Sequence, residues 1–157
     1  MVIRCRLTYR CGNRCRYCDL PNRAGEEMPT EAWIALFSRA ARFGTVRIVF
    51  DGGEPLLRAD IAELARAAMR LGIDLSLNTN GTAFSRHLDW LSEIRVVMIS
   101  LDGDERVHEA LRKGSHTGTC SKARGRWSDT GAASASSSPS PGIRSPGSTR
   151  PSPWPPS

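Results

Sequence analysis

The sequence predicts an α/β fold, about four βα units building a parallel sheet, followed by a tail without a core. Three observations predict it. The hydrophobic period switches repeatedly between two and 3.6 over residues 1–114. Each unusual polar cluster falls just after a predicted strand, where ligands sit in parallel α/β folds. The composition then breaks near residue 118, dividing the chain into a body at 1–118 and a tail at 119–157.

The elements follow in order. Residues 2–9 alternate, with Ile3, Cys5, Leu7 and Tyr9 on one face and Arg4, Arg6 and Thr8 on the other. After a Cys-rich loop, Pro29-Thr30-Glu31 opens a helix with Trp33, Phe37, Ala40 and Ala41 on one stripe, and Gly44 closes it. Val46 to Phe50 is a short β-rich run ending at Asp51-Gly52-Gly53-Glu54-Pro55. Asp60 with Glu63 has the form of a capping box and starts a helix that buries Ile61, Leu64, Ala65 and Ala68 and ends at Gly72. Ile73 to Leu77 is a third strand closing at Asn78-Thr79-Asn80-Gly81, and Phe84, Leu88 and Leu91 mark a third helix. Arg95 to Leu101 is a fourth strand, and Asp104 to Lys113 a short fourth helix. Such alternation implies right-handed βαβ crossovers.

Residues 119–157 hold 11 Ser, 7 Pro, 4 Gly and 3 Thr, with Trp127, Ile143 and Trp154 the only large apolar side chains. Such a segment buries too little surface to offset its ordering entropy, and a disordered tail is expected. Of the net charge of +6, five Lys and Arg against Asp129 place +4 in the tail and leave +2 for the body. The pI of 9.5 is thus largely the tail's, and no nucleic-acid partner is expected. The chain, 39% hydrophobic over 157 residues, is neither wholly disordered nor fibrous. No apolar run approaches the ~18 residues of a membrane span. The first residues enter a strand pattern at once, without the features of a secretory signal, so a cytoplasmic location is expected.

Cys11-Gly12-Asn13-Arg14-Cys15-Arg16-Tyr17-Cys18 carries the most information. Three thiols this close, outside a secretory context, favour metal or redox chemistry over disulfides. Soft thiolates select zinc, Cu(I) or iron–sulfur clusters. A closed zinc site wants four ligands, often as two separated pairs, and here there are three without a second pair. Three thiolates on a four-iron cube leave one iron open to substrate or cofactor. The alternative is a non-catalytic zinc- or cluster-binding module, its zinc loop borrowing Cys5 or a His, although Cys5 is expected in the core. His87 and His108 are expected on solvated helix faces.

The CxxxCxxC spacing, with Tyr17 just before its last Cys, resembles the cluster loop of the radical S-adenosylmethionine (radical SAM) enzymes. Gly52-Gly53-Glu54-Pro55 directly after a strand resembles the family's GGEP segment. The resemblance covers about residues 1–114 and implies the N-terminal part of a partial (β/α) barrel. It implies that Cys11, Cys15 and Cys18 bind a [4Fe-4S] cluster whose open iron is chelated by S-adenosylmethionine. A reduced cluster would cleave that cofactor to a 5′-deoxyadenosyl radical, which takes a hydrogen atom from a substrate. Tyr17 would lie near the adenine, and Gly52, Gly53 and Glu54 near the methionyl ammonium. Thr79, Asn80, Ser100 and Asp102 would serve the carboxylate and ribose hydroxyls, while local structure offers a turn at Asn80-Gly81 and a helix cap at Asp102 or Asp104. Arg4 and Arg6 either face the open barrel, where they would recognise an anionic substrate group, or decorate a solvated sheet edge, the preferred reading. The implied partners are an unknown small-molecule or peptide substrate and an electron donor such as flavodoxin or ferredoxin, with no membrane. The family's barrel has six strands where four can be counted, so the chain is expected to be truncated or frameshifted after about residue 118 and inactive as a fragment.

Overall fold

The computed structural model describes residues 1–23, 25–115 and 117–128, the side chains of 124 and 126–128 excepted. The tail expected at 129–157 and His116 lie outside the described residues. The elements are β1 (Val2–Thr8), β2 (Arg14–Cys15), α1 (Thr30–Arg42), β3 (Arg47–Gly52), α2 (Ile61–Arg70), β4 (Asp74–Thr79), α3 (Leu88–Leu91), β5 (Val96–Ile99), α4 (Glu105–Leu111), β6 (Arg112–Lys113) and α5 (Thr117–Ser128).

Four strands form one parallel sheet in the order β1-β3-β4-β5, as the alternating periods predict. The register aligns Cys5 with Phe50, Phe50 with Leu77 and Leu77 with Val97, a row of buried side chains on one face. Against it pack Phe37 of α1 and Ile61, Leu64, Ala65 and Ala68 of α2. Phe37 stacks on Phe50 with ring centres 5.8 Å apart. Full burial of a side chain of this size stabilises by about 1.5–3 kcal/mol, so this layer fixes the sheet's position. Period two in the strands and 3.6 in the helices thus meet along one interface.

Local readings differ from the structure at four places. Asp60 makes no side-chain cap at α2; Arg58 and Thr30 take its carboxylate, at 2.6 Å each, and draw it from the helix end. The expected third helix is a 3₁₀ turn at Phe84–Arg86 and then the single turn of α3. The fourth helix stops at Leu111, because Arg112 and Lys113 leave it to pair antiparallel with Arg14 and Cys15. The expected boundary at 118/119 falls inside α5, whose Cys120 and Ala123 pack into the core. Two small side chains suffice to seat that helix, and neither makes a hydrophobic period visible in the sequence. Asp104 does cap α4, accepting from Val107 N at 2.9 Å. Among the described residues no helix is long and apolar enough to cross a membrane.

Candidate functional site

Parallel strands bring their carboxyl ends to one edge, and an open cavity of about 150 Å³ lies there. Cys11, Cys15 and Cys18 line it with Gly52 and Gly53 after β3, Thr79 and Asn80 after β4, and Ser100 after β5. Tyr17 also lines it, whereas Glu54 and Asp102 stand behind the wall. Three lining residues were not anticipated: Asn13, Asn78 and Arg112.

The three thiols are free and half-buried. Cys11 Sγ accepts from Asn13 N at 3.4 Å and from Asn80 Nδ2 at 3.7 Å. Burial pushes the Cys11 and Cys15 thiols up, and Arg112 draws Cys15 the other way. A bound metal would supply what holds them as thiolates. Cys5, which a zinc loop would borrow, is 4% exposed between Ile3 and Leu7 on β1, its thiol pushed up to about 11 by burial.

The two glycines have a steric reason. A Cβ on Gly53 would lie 2.3 Å from Arg10 O, and Gly52, at φ +139°, would put one 2.5 Å from Thr8 O. The backbone that approaches so closely is the chain's own: Gly53 N donates to Thr8 O and Glu54 N to Arg10 O, both at 2.8 Å. The glycine pair therefore seats the start of the cysteine loop on the end of β3.

Glu54 is fully buried, and its carboxylate accepts from Leu56 N (3.1 Å), Thr79 Oγ1 (2.8 Å) and Asn80 N (2.7 Å). It ties the end of β3 to the end of β4. Burial raises its pKa to about 7 despite these donors. The turn expected at Asn80-Gly81 is present: Gly81 has φ +80°, and Asn80 Oδ1 accepts from Thr82 N at 2.9 Å.

Tyr17 and Asp102 meet each other. The tyrosine hydroxyl donates to the Asp102 carboxylate, which also accepts from Arg112 Nε at 2.7 Å and Nη2 at 3.2 Å. The Arg112 guanidinium lies 5.6 Å from the Tyr17 ring centre, within cation–π range. Sequence reading placed Arg112 at a helix end; only its pairing opposite Cys15 brings it to the cavity.

His108 is not on a solvated face. It is fully buried, with Nδ1 accepting from Asp102 N at 3.3 Å and Nε2 3.1 Å from Ser115 Oγ, and burial lowers its pKa. His87 is half-buried, with Nε2 3.0 Å from Leu56 O. Both are structural: each joins two segments. Arg4 and Arg6 are exposed; Arg4 lies 3.4 Å from the Asp51 carboxylate and Arg6 sits over the Tyr9 ring, neither lining the cavity.

The sequence matches the model of the Radical SAM superfamily over residues 5–120. The chain belongs to this superfamily. Radical SAM proteins use a [4Fe-4S] cluster and S-adenosylmethionine, and the fold agrees with solved members. Streptococcus suis SuiB bound to precursor peptide SuiA matches at TM-score 0.74 and 22% identity, over 83% of this chain and 30% of that one. The enzyme anSMEcpe with bound AdoMet matches at 0.69 and 25%, over 83% and 40%. HydG, a maturase of the [FeFe]-hydrogenase, matches at 0.68 and 15%, over 83% and 32%. The radical SAM chain thus spans about a third of the length of these relatives.

The residues present fit the family's cluster. Beside the three thiols, the buried Asn13 amide and Asn78 Oδ1 have no hydrogen-bond partner among the described residues. Buried polar atoms left unpaired cost about 1–3 kcal/mol each, a cost that a ligand at this cavity relieves.

Proposed function

We propose that this chain is a radical SAM [4Fe-4S] protein in which Cys11, Cys15 and Cys18 hold the cluster and the neighbouring strand ends receive S-adenosylmethionine. The observation that carries this reading is the convergence of three thiols and the ends of β3, β4 and β5 on one cavity. When bound, the reduced cluster supplies one electron to the sulfonium, whose bond to the 5′ carbon breaks to give methionine and a 5′-deoxyadenosyl radical that takes hydrogen from a substrate.

The chain's own residues bind, orient and shield. The Gly52-Gly53 backbone stands at the cavity wall with no side chain to obstruct a ligand. Thr79, Asn80 and Ser100 line the opposite side with hydroxyl and amide groups suited to a carboxylate or ribose. Glu54 takes its place in this reading by fixing the Thr79 and Asn80 backbone that faces the ligand. Asn80 Nδ2 and Asn13 N direct N–H groups at Cys11 Sγ, and such donors tune a cluster's potential.

The substrate class proposed is a peptide or a small molecule. SuiB was solved with a precursor peptide and anSMEcpe with AdoMet and the Cp18Cys peptide, which matches at 26% identity. Anaerobic reconstitution with iron and sulfide tests the reading. The full chain should take up about four irons and give a reduced-cluster EPR signal that changes on adding S-adenosylmethionine, with 5′-deoxyadenosine formed under reducing conditions. A colourless chain that takes zinc and no iron overturns it.

A further inference from the structure

The short sheet β2–β6 carries an arrangement that stability does not explain. Directly opposed residues on antiparallel strands share a face, so Cys15 and Arg112 share the cavity side while Arg14 and Lys113 share the other. Arg14 and Lys113 are both exposed. Like charges directly opposite one another destabilise a strand pair. Arg16, also exposed, adds a third positive charge two residues from Arg14. None of the three makes an ion pair among the described residues, whereas nearby Arg10 and Arg23 are matched by Glu27 and Asp19. A repulsive pair is thus kept on the outer face of the very strand whose inner face bears Cys15.

We propose that this cationic strip, Arg14, Arg16 and Lys113, docks an acidic one-electron carrier protein that reduces the cluster through β2. The inference rests on the cluster reading above and names the partner of that site. A reduced flavin or iron–sulfur carrier loses one electron and the cluster gains it; no bond forms and no proton need move. Complementary charge steers such encounters and raises their rate, and a partner's carboxylates relieve the Arg14–Lys113 repulsion on docking. Gly12 and Gly114 flank the strip, both exposed, so no side chain there holds a partner away. Three cations on two-residue strands make a patch sized for a protein contact rather than a track of phosphates.

The experiment uses the full reconstituted chain and follows cluster reduction by stopped flow, with reduced flavodoxin as one probe and photoreduced deazaflavin, small and uncharged, as the other. The triple variant Arg14→Gln, Arg16→Gln, Lys113→Gln should hold wild-type iron and react normally with deazaflavin. Its second-order rate with flavodoxin should fall about tenfold, and the wild-type rate should fall comparably as salt rises from about 50 to 300 mM. Arg14→Lys with Arg16→Lys keeps the charge and should keep the rate. Arg39→Gln, Arg42→Gln, Arg70→Gln removes three exposed cations elsewhere, two of them at helix ends away from the cavity, and should leave the rate unchanged. An iron-loaded triple variant reduced by flavodoxin at the wild-type rate overturns the docking surface alone. Loss of oligonucleotide retention with an unchanged flavodoxin rate overturns it in favour of a nucleic-acid partner. A wild-type chain that takes no iron overturns the cluster reading and this inference with it.

Discussion

At the scale of single residues, the five cysteines divide by surroundings. Cys5 and Cys120 are enclosed in the core, while Cys11, Cys15 and Cys18 face one cavity. Replacing any of the three by Ala should abolish a stable [4Fe-4S] EPR signal, whereas Cys5→Ala and Cys120→Ala should leave it; iron lost from Cys5→Ala but retained by Cys11→Ala would contradict the ligand set. Gly53 has no room for a methyl group against Arg10 O. Gly53→Ala should destabilise by about 1–3 kcal/mol in urea melts and lower iron uptake. Glu54 titrates at about 7 in the fold, above its ordinary 4.5. The folded chain therefore holds a proton that the unfolded chain releases, so Glu54's contribution is full below about pH 4.5 and is lost as pH rises to about 7. Thermal melts of Glu54→Gln, which cannot titrate, should lack that loss, and equal pH slopes in both proteins would refute it.

At the scale of elements, the cysteine loop is held from two sides. The Gly52-Gly53 turn fixes its start through Thr8 and Arg10, and β6 fixes its middle through β2. Tyr17, Asp102 and Arg112 close the second attachment. The Asp102 and Arg112 side chains are 3% and 9% exposed, so removing one partner strands a buried charge. Asp102→Ala should cost about 3–5 kcal/mol, and Asp102→Leu with Arg112→Leu should cost less than that single change. Hydrogen exchange should quicken at residues 14–16 and 111–113 in Asp102→Ala before it does in α1. Uniform quickening would show the pair to serve global stability alone.

At the scale of the whole molecule, α5 completes the site from beneath. Cys120 Sγ lies 3.5 Å from Asn80 O and 3.8 Å from Ser100 O, directly under the residues that line the cavity. A chain ending at Ser128 should therefore match the full chain in iron content and melting temperature. One ending at Ser115 should melt lower and load less iron, since Cys120 and Ala123 leave the core. Equal behaviour of the two truncations would show α5 to be dispensable.

The sequence by itself determined the four-stranded parallel sheet, because strand and helix periods record which face of each element is buried. It also determined the strand-end clusters and the three metal-ligating candidates, since local chain order sets the spacing of thiols on a loop. The glycines after β3 were visible as a motif, but their steric reason was not. That reason is a contact with Thr8 and Arg10, more than forty residues away in the chain. Only the tertiary structure decided that Glu54 faces inward, that Tyr17 and Asp102 are partners, that His108 is buried and that Arg112 reaches the cavity. A carboxylate, an imidazole or a guanidinium carries no periodic trace of burial. Its place depends on which distant donors and acceptors the packed sheet brings within hydrogen-bond reach.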